Sequence, residues 1–148
     1  AQNAALALVA ARELGVGDAA LAERLQQWEP ADTRGRVVST GGHYYYIDCY
    51  NANPASMADS LQAFQQSAPA DMPRCYVLGA MNELGPAAST AAYRQGALAG
   101  GACAEQIQCA ENVADIQSMV ADFKGALFLK GSRAYHLEKL LPAGSGVG

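Results

Sequence analysis

An α/β fold, with a mostly parallel sheet flanked by helices and preceded by a β-hairpin and a short helical pair, is predicted by three features of the 148-residue sequence. Strand-like and helix-like segments alternate strictly from Pro54 to Leu141. Just before them, two β-rich runs are joined by Gly41-Gly42. Ahead of both, the apolar spacing between Asn3 and Gln27 is helical, and it changes across the turn-rich stretch Trp28, Pro30, Asp32, Thr33 and Gly35. A boundary near Arg34 follows, with residues 1–33 as a helical lead-in and linker and 34–148 as the main domain.

Asn3 to Leu14 form the first helix, stopped by Gly15 and Gly17, and Asp18 caps a second that runs through Gln27. Arg36 to Thr40 and His43 to Tyr50 are the hairpin strands, because adjacent glycines accept the positive φ of a two-residue turn. Tyr44-Tyr45-Tyr46 covers both faces of the second strand. Then come a helix from Pro54 to about Gln66, a strand Cys75 to Gly79, and a helix from about Ser89 to Gly100. A strand Gln106 to Ala110, a helix Val113 to Phe123, a strand Ala126 to Lys130 and a helix Arg133 to Leu141 complete the series. Helices of this length between strands make βαβ crossovers, hence parallel pairing. The Gly-rich tail Pro142 to Gly148 is expected to fray, and no internal repeat is present.

Composition narrows the function. The hydrophobic fraction is 51%, but 31 of those residues are Ala, which suits helices packed on a sheet. Lys+Arg 10 against Asp+Glu 14 gives a net charge of -4 with no basic stripe, so nucleic acid is not an expected partner. The apolar run Ala4 to Ala11 falls far short of the roughly 20 residues that span a bilayer. The chain begins at Ala1 with no basic segment ahead of that run, which reads as a piece of a longer protein rather than a signal peptide. Cys49, Cys75, Cys103 and Cys109 contain no CxxC pair and read as buried, reduced thiols of a cytoplasmic protein. The spacing of His43, Cys49, Cys103, Cys109 and His136 does not suit zinc, and no metal ligands are assigned. No partner is identifiable for His43 or His136, so neither receives a catalytic role.

In an open α/β sheet, ligands collect outside the carboxyl ends of the strands, so the strand-to-helix loops carry the chemistry. In the first, Asp48 to Met57, Asn53 is the N-cap, Pro54 the first helical residue, and Met57, Leu61 and Phe64 an apolar stripe. The cap accounts for Asn53 but not for Asp48 or Asn51, which suit a site that orients hydroxyls, a metal-bound water or an amine. The second loop, Leu78 to Pro86, has two glycines for close backbone approach and holds Glu83. The third, Lys130-Gly131-Ser132-Arg133, sets backbone N–H groups, a hydroxyl and two cations where a carboxylate or phosphate could dock. Ser132 serves equally well as a plain N-cap, and Asp48 and Asn51 as an ordinary turn. No GxxxxGK[ST] phosphate loop occurs, so this stretch alone is expected to turn over no ATP. Gly144 to Gly148 resembles a dinucleotide fingerprint only in letters, since it follows no strand.

Taken together, Gly35-Arg36, Ile47-Asp48-Cys49-Tyr50-Asn51-Ala52-Asn53-Pro54-Ala55-Ser56-Met57, Val77 to Gly85 and Leu129 to Arg133 resemble the C-terminal domain of the Mur ligase family along essentially the whole chain. Asn3 to Val16 is similar to the helix that closes the family's central ATPase domain. The resemblance implies a Rossmann-like sheet and an ATP-dependent amide ligase of peptidoglycan synthesis, nearest the branch that adds D-alanyl-D-alanine to a UDP-N-acetylmuramoyl-tripeptide. It implies ATP and Mg2+ as cofactors, the ion held mainly by upstream domains that also pack against this one. It further implies a cytoplasmic monomer without a membrane span.

By the same resemblance Arg36 reaches the nucleotide's phosphates and is the catalytic candidate. Asp48, Asn51 and Asn53 line the nucleotide side. Tyr50, Lys130, Ser132, Arg133 and Glu83 line the substrate side; Arg133 is the candidate for the dipeptide carboxylate on chemical grounds rather than by the match, since a planar guanidinium binds a carboxylate bidentately. Three positions depart from the family pattern: Ala80 replaces an acid, Cys49 a serine and Ala92 a histidine. The loss of the acid and of the histidine, both near the cleft, points to a divergent ligase, with altered substrate or reduced activity. A folylpolyglutamate synthase-like ligase and a non-catalytic binding or regulatory module are the competing readings.

Overall fold

The computed structural model describes residues 2–30, 33–79, 90–99, 101–110 and 112–142, and for 2, 3, 54, 55, 90–93 and 110 the backbone alone. Glu83, Ala80 and the rest of the 80–86 loop, with the tail beyond 142, lie outside the described residues. Two helices, α1 (Gln2–Glu13) and α2 (Asp18–Gln26), precede the strands β1 (Arg36–Thr40), β2 (His43–Asp48), β3 (Arg74–Gly79), β4 (Ile107–Ala110) and β5 (Ala126–Lys130). Helices α3 (Pro54–Ser67), α4 (Thr90–Ala99) and α5 (Val113–Asp122) connect β2 to β3, β3 to β4 and β4 to β5.

The sheet order is β1-β2-β5-β3-β4, with β1 antiparallel at one edge and the other pairings parallel. The hairpin turn is made by Gly41 and Gly42, both at positive φ (57° and 81°), as the sequence predicts. Two connections run one way across the sheet and the third returns, inserting β5 between β2 and β3. Right-handed crossovers then place α3 and α4 on one face and α5 on the other.

Strict alternation in β2, β3 and β5 supplies both faces. Tyr44, Tyr46, Tyr76, Leu78 and Phe128 meet Met57, Leu61 and Phe64 of α3 and Ala97 of α4. Tyr45, Ile47, Cys75, Val77, Leu127 and Leu129 meet Val120 of α5 and the C-terminal Leu137 and Leu140. Phe64 is the centre of the first layer, fully buried with its ring centroid 5.4–6.4 Å from those of Phe128, Tyr76, Tyr46 and Tyr44.

Several elements differ from the sequence reading. The expected helix from Arg133 to Leu141 is two 3₁₀ turns, Arg133–Tyr135 and Leu137–Leu140, broken by His136 in the left-handed region (φ 48°, ψ 43°). Leu137 and Leu140 stand three apart, and a 3₁₀ turn eclipses such positions, so it buries both as well as an α-helix would. The strand expected from Gln106 begins at Ile107, because Ala104–Gln106 forms a 3₁₀ turn. The second hairpin strand ends at Asp48, where Cys49 N–H leaves the sheet and donates to the Thr33 carbonyl (2.7 Å). Gly17 is the N-cap of α2, and Asp18, its first residue, bonds Arg12 Nε at 2.7 Å on the surface. All four cysteines are free, but Cys103 is exposed and Cys109 only half-buried, so the expectation of buried thiols holds for Cys49 and Cys75. Among the described residues no helix is long and apolar enough to cross a membrane.

Two stability consequences follow from this core. Phe64→Ala should cost about 3–5 kcal/mol in urea unfolding, whereas Phe64→Leu, which keeps most of the volume, should cost less than about 1.5 kcal/mol. Burial, reinforced by the negative charges of Glu138 and Asp48, pushes the Cys49 thiol from 9.0 up to about 12, and burial pushes Cys75 to about 11. The unfolded chain therefore ionises these thiols first, and stability present below pH 9 drains away as pH rises toward the folded values. Cys49 alone should remove about 1.4 kcal/mol per pH unit above pH 9, so Cys49→Ala should flatten the alkaline limb of the unfolding curve measured under reducing conditions.

Candidate functional site at the carboxyl edge of the sheet

The β2 and β5 strands lie side by side, yet their outgoing chains leave to opposite faces, β2 into α3 and β5 into the turns packed beside α5. Such a switch point opens a crevice at the carboxyl edge. Asp48 ends β2 and pairs in register with Lys130, which ends β5. Because β1 is antiparallel, its first residue Arg36, paired with Ile47, starts at the same edge. Here the topology gathers Arg36, Asp48, Tyr50, Asn51, Lys130, Ser132 and Arg133.

At the centre is a buried ion pair. The Lys130 side chain is 0% exposed, and its Nζ donates to Asp48 Oδ2 at 2.6 Å and to the Asn51 carbonyl at 3.2 Å. Ser60 of α3 brings its hydroxyl to the same Asp48 oxygen and also lies 2.7 Å from the Ser56 carbonyl. Lys130 therefore does not present its ammonium to the crevice; it holds the first loop from within. Tyr46 adjoins this network, its phenol held above the usual range by burial and by the Asp48 charge, with a hydrogen bond to Ser60 opposing them.

Asn53 is spent on the helix. Its Oδ1 accepts from Ser56 N–H (2.9 Å) while Ser56 Oγ accepts from Asn53 N–H (3.1 Å), a reciprocal capping box with Pro54 as the first helical residue. Cys49 points away from the crevice, its thiol donating to the Leu129 carbonyl inside the core (3.4 Å). Gly131 and Gly79 bring the second and third loops together: a Cβ on Gly131 would lie 3.0 Å from Gly79 Cα and from Leu137 Cδ1. Only glycine fits that approach comfortably.

Outward from this base the surface is cationic and aromatic. Tyr50, 42% exposed, carries the Arg34 guanidinium 3.6 Å from its ring centroid and that of Arg133 at 5.7 Å. Ser132 occupies the N-cap position before Arg133 without a side-chain cap bond. Arg34 and Ser60 were not singled out by sequence. The Ser56/Ser60 spacing, one helical turn, was the signal available for Ser60.

Among the described residues no three His, Cys, Asp or Glu side chains converge as metal ligands. A separate cleft of about 450 Å³ opens at the opposite, amino end of the sheet between His43, Tyr45, Lys124 and Lys139. His43 stacks on Tyr45 there, its buried Nε2 lacking a hydrogen-bond partner. Neither the topology nor any motif directs substrate to that end. His136 pairs with Glu138 at 3.0 Å.

Removing the cation should expose the dependence of this edge on it. Lys130→Met leaves the Asp48 carboxylate and the Asn51 carbonyl without their partner and should cost about 3 kcal/mol in urea unfolding. Adding Asp48→Asn should recover part of that loss, and a double-mutant cycle measures the coupling.

Comparison with known proteins matches residues 33–142 to the family model described as Mur ligase, glutamate ligase domain. The UDP-N-acetylmuramoyl-tripeptide–D-alanyl-D-alanine ligase of Treponema pallidum is 28% identical over 171 aligned positions, covering 96% of this chain and 36% of that protein. A crystal structure of MurF from Acinetobacter baumannii superposes with a TM-score of 0.74 at 23% identity, covering 94% of this chain and 36% of the other. MurF ligase from Thermotoga maritima, solved in complex with ADP, gives 0.63 at 22% identity, covering 90% and 34%. The chain thus spans about a third of the length of these relatives. The family match extends over most of the sequence and includes every strand that builds the crevice, and the chain belongs to the Mur ligase family through its glutamate ligase domain.

Proposed function

We propose that this chain is the C-terminal part of an ATP-dependent amide ligase that joins D-alanyl-D-alanine to UDP-N-acetylmuramoyl-tripeptide in peptidoglycan synthesis. The observation that carries the reading is the convergence of Arg36, Asp48, Tyr50, Asn51 and Arg133 on one switch-point crevice in a Mur ligase domain. The name of the Treponema relative supports the choice of substrates.

In such a reaction the tripeptide carboxylate takes the γ-phosphoryl group of ATP to give an acyl phosphate. The dipeptide amine then attacks the acyl carbon, and inorganic phosphate leaves as the amide bond forms. The intermediate must be shielded from water, a task for a domain that completes the cleft. Arg36 stabilises negative charge on the phosphates, and Arg133 takes the dipeptide carboxylate with Ser132 beside it. Among the described residues, Ser60 and Lys130 both bond Asp48 through Oδ2, which leaves Oδ1 as the oxygen proposed to accept from a nucleotide hydroxyl. Asn51 lies beside it, and Asn53 serves this side by fixing the loop's exit into α3. Lys130 acts on the substrate side indirectly, through the loop it anchors. Magnesium, required with ATP, is held by upstream domains, which also supply the phosphate loop. Glu83 is assigned to the substrate side by the family resemblance alone. The whole protein is a cytoplasmic monomer.

The test is phosphate release by the full-length protein given ATP, magnesium, the UDP-linked tripeptide and D-alanyl-D-alanine. Release should depend on the dipeptide. Arg36→Ala should lower kcat about 10²–10³-fold, and Arg133→Ala should raise the dipeptide KM by roughly 10–100-fold. The 148-residue chain alone should release none. A folded, ATP-binding full-length protein that releases no phosphate with this dipeptide would overturn the substrate assignment.

A further inference from the structure

The segment that enters the sheet domain is fastened to the crevice at successive residues. The Thr33 carbonyl accepts from Cys49 N–H at 2.7 Å, and the next residue, Arg34, lies over Tyr50 with its guanidinium carbon 3.6 Å from the ring centroid. Gly35 turns the chain at φ 61°, and Arg36 then starts β1 opposite Ile47. From the other side of the crevice Arg133 reaches the same ring, 5.7 Å from its centroid. Among the described residues neither Arg34 nor Arg133 meets a carboxylate, so the Tyr50 ring is the partner they share. Two cations, one from the linker and one from the third loop, thus lie over one half-exposed ring.

We propose that Tyr50 and Arg34 are positioning residues: the Arg34–Tyr50 stack latches residues 33–36 onto the β2–α3 loop, and the same ring orients Arg133. One aromatic side chain then sets the relative placement of Arg36, just beyond the latch, and Arg133, the two cations assigned to opposite ends of the reaction. The functional half of this inference rests on the ligase reading, whereas the latch itself is a property of the 148-residue chain.

Amide exchange tests the latch without any turnover. In the 148-residue chain, Tyr50→Leu should speed exchange of the Cys49 N–H by roughly tenfold, because each exposed cation–π contact is worth a factor of roughly two to five. Tyr50→Phe, which keeps the ring face, should leave it within about twofold by the same scale. The Leu127 and Leu129 amides serve as the internal reference for intact folding. Unchanged Cys49 exchange in Tyr50→Leu would overturn the latch. In the full-length ligase, Arg34→Ala, which frees residues 33–36, should lower kcat severalfold, at roughly the factor lost with a stacking contact; Tyr50→Leu, which also frees Arg133, should in addition raise the dipeptide KM severalfold, and Tyr50→Phe should keep the wild-type values. If turnover is present and neither kcat in Arg34→Ala nor the dipeptide KM in Tyr50→Leu moves, the positioning role is overturned even where the latch stands. Absence of turnover in the wild-type protein would instead fail the ligase reading and leave the exchange result decisive for the latch.

Discussion

A lysine ammonium with no solvent exposure is tolerable only if its partners are fixed, and at the carboxyl edge of this sheet nearly everything else is arranged around that requirement. Lys130 needs Asp48, so β2 and β5 must lie in one register, since a slip of one residue would turn either side chain to the opposite face. It also needs the Asn51 carbonyl, which fixes the path of the loop immediately after β2. Asp48 in turn accepts Ser60, tying α3 to the strand end at the level of its second turn. The ion pair is thus a registry device whose value lies in the geometry it enforces; as a source of stability alone, a packed apolar pair would do as well.

That device works because topology has already opened a gap beside it. β5 returns between β2 and β3, so neighbouring strands send their chains to opposite faces and leave their carboxyl ends uncovered. Each face is closed by its own layer, the aromatic cluster around Phe64 on one and the aliphatic cluster with α5 on the other. The crevice itself is lined by loop residues held on rigid strand ends, the arrangement in which small side-chain displacements are resisted by two packed cores. The Gly79–Gly131 approach completes it by letting two of the three loops touch at the backbone.

The strands and the connecting helices were legible because aromatic and branched residues alternate in β2, β3 and β5 while Met57, Leu61 and Phe64 repeat at helical spacing. The hairpin was legible from its two glycines, and the start of α3 from Asn53 as N-cap and Pro54 after it, though not the reciprocal bond from Ser56. Legibility failed where two structures satisfy one pattern: Leu137 and Leu140 bury equally well from a 3₁₀ turn or an α-helix. The motif residues on the crevice could be found, but their division of labour could not. Lys130, adjoining Gly131 and Ser132, reads as a surface cation, and only the pairing of β2 with β5 reveals that its charge is consumed by a carboxylate 82 residues away in sequence. Arg34 was invisible for the same reason, since its partner is Tyr50 across the hairpin.

The same distinction between motif and placement bears on the positions where this chain departs from its family. Cys49 stands beside Asp48 in the most specific motif, which makes its replacement of a serine look like an alteration of the site. Its side chain is buried among Ile47, Leu129 and the α5 face, and its thiol meets the Leu129 carbonyl, a bond that a hydroxyl could make as well. A sulfur there changes core packing and the alkaline limit of stability, not the surface offered to a ligand. Divergence in substrate or rate must therefore be argued from Ala80 and Ala92 alone, because the loop that carries Cys49 presents its polar face, not its sulfur, to the crevice edge.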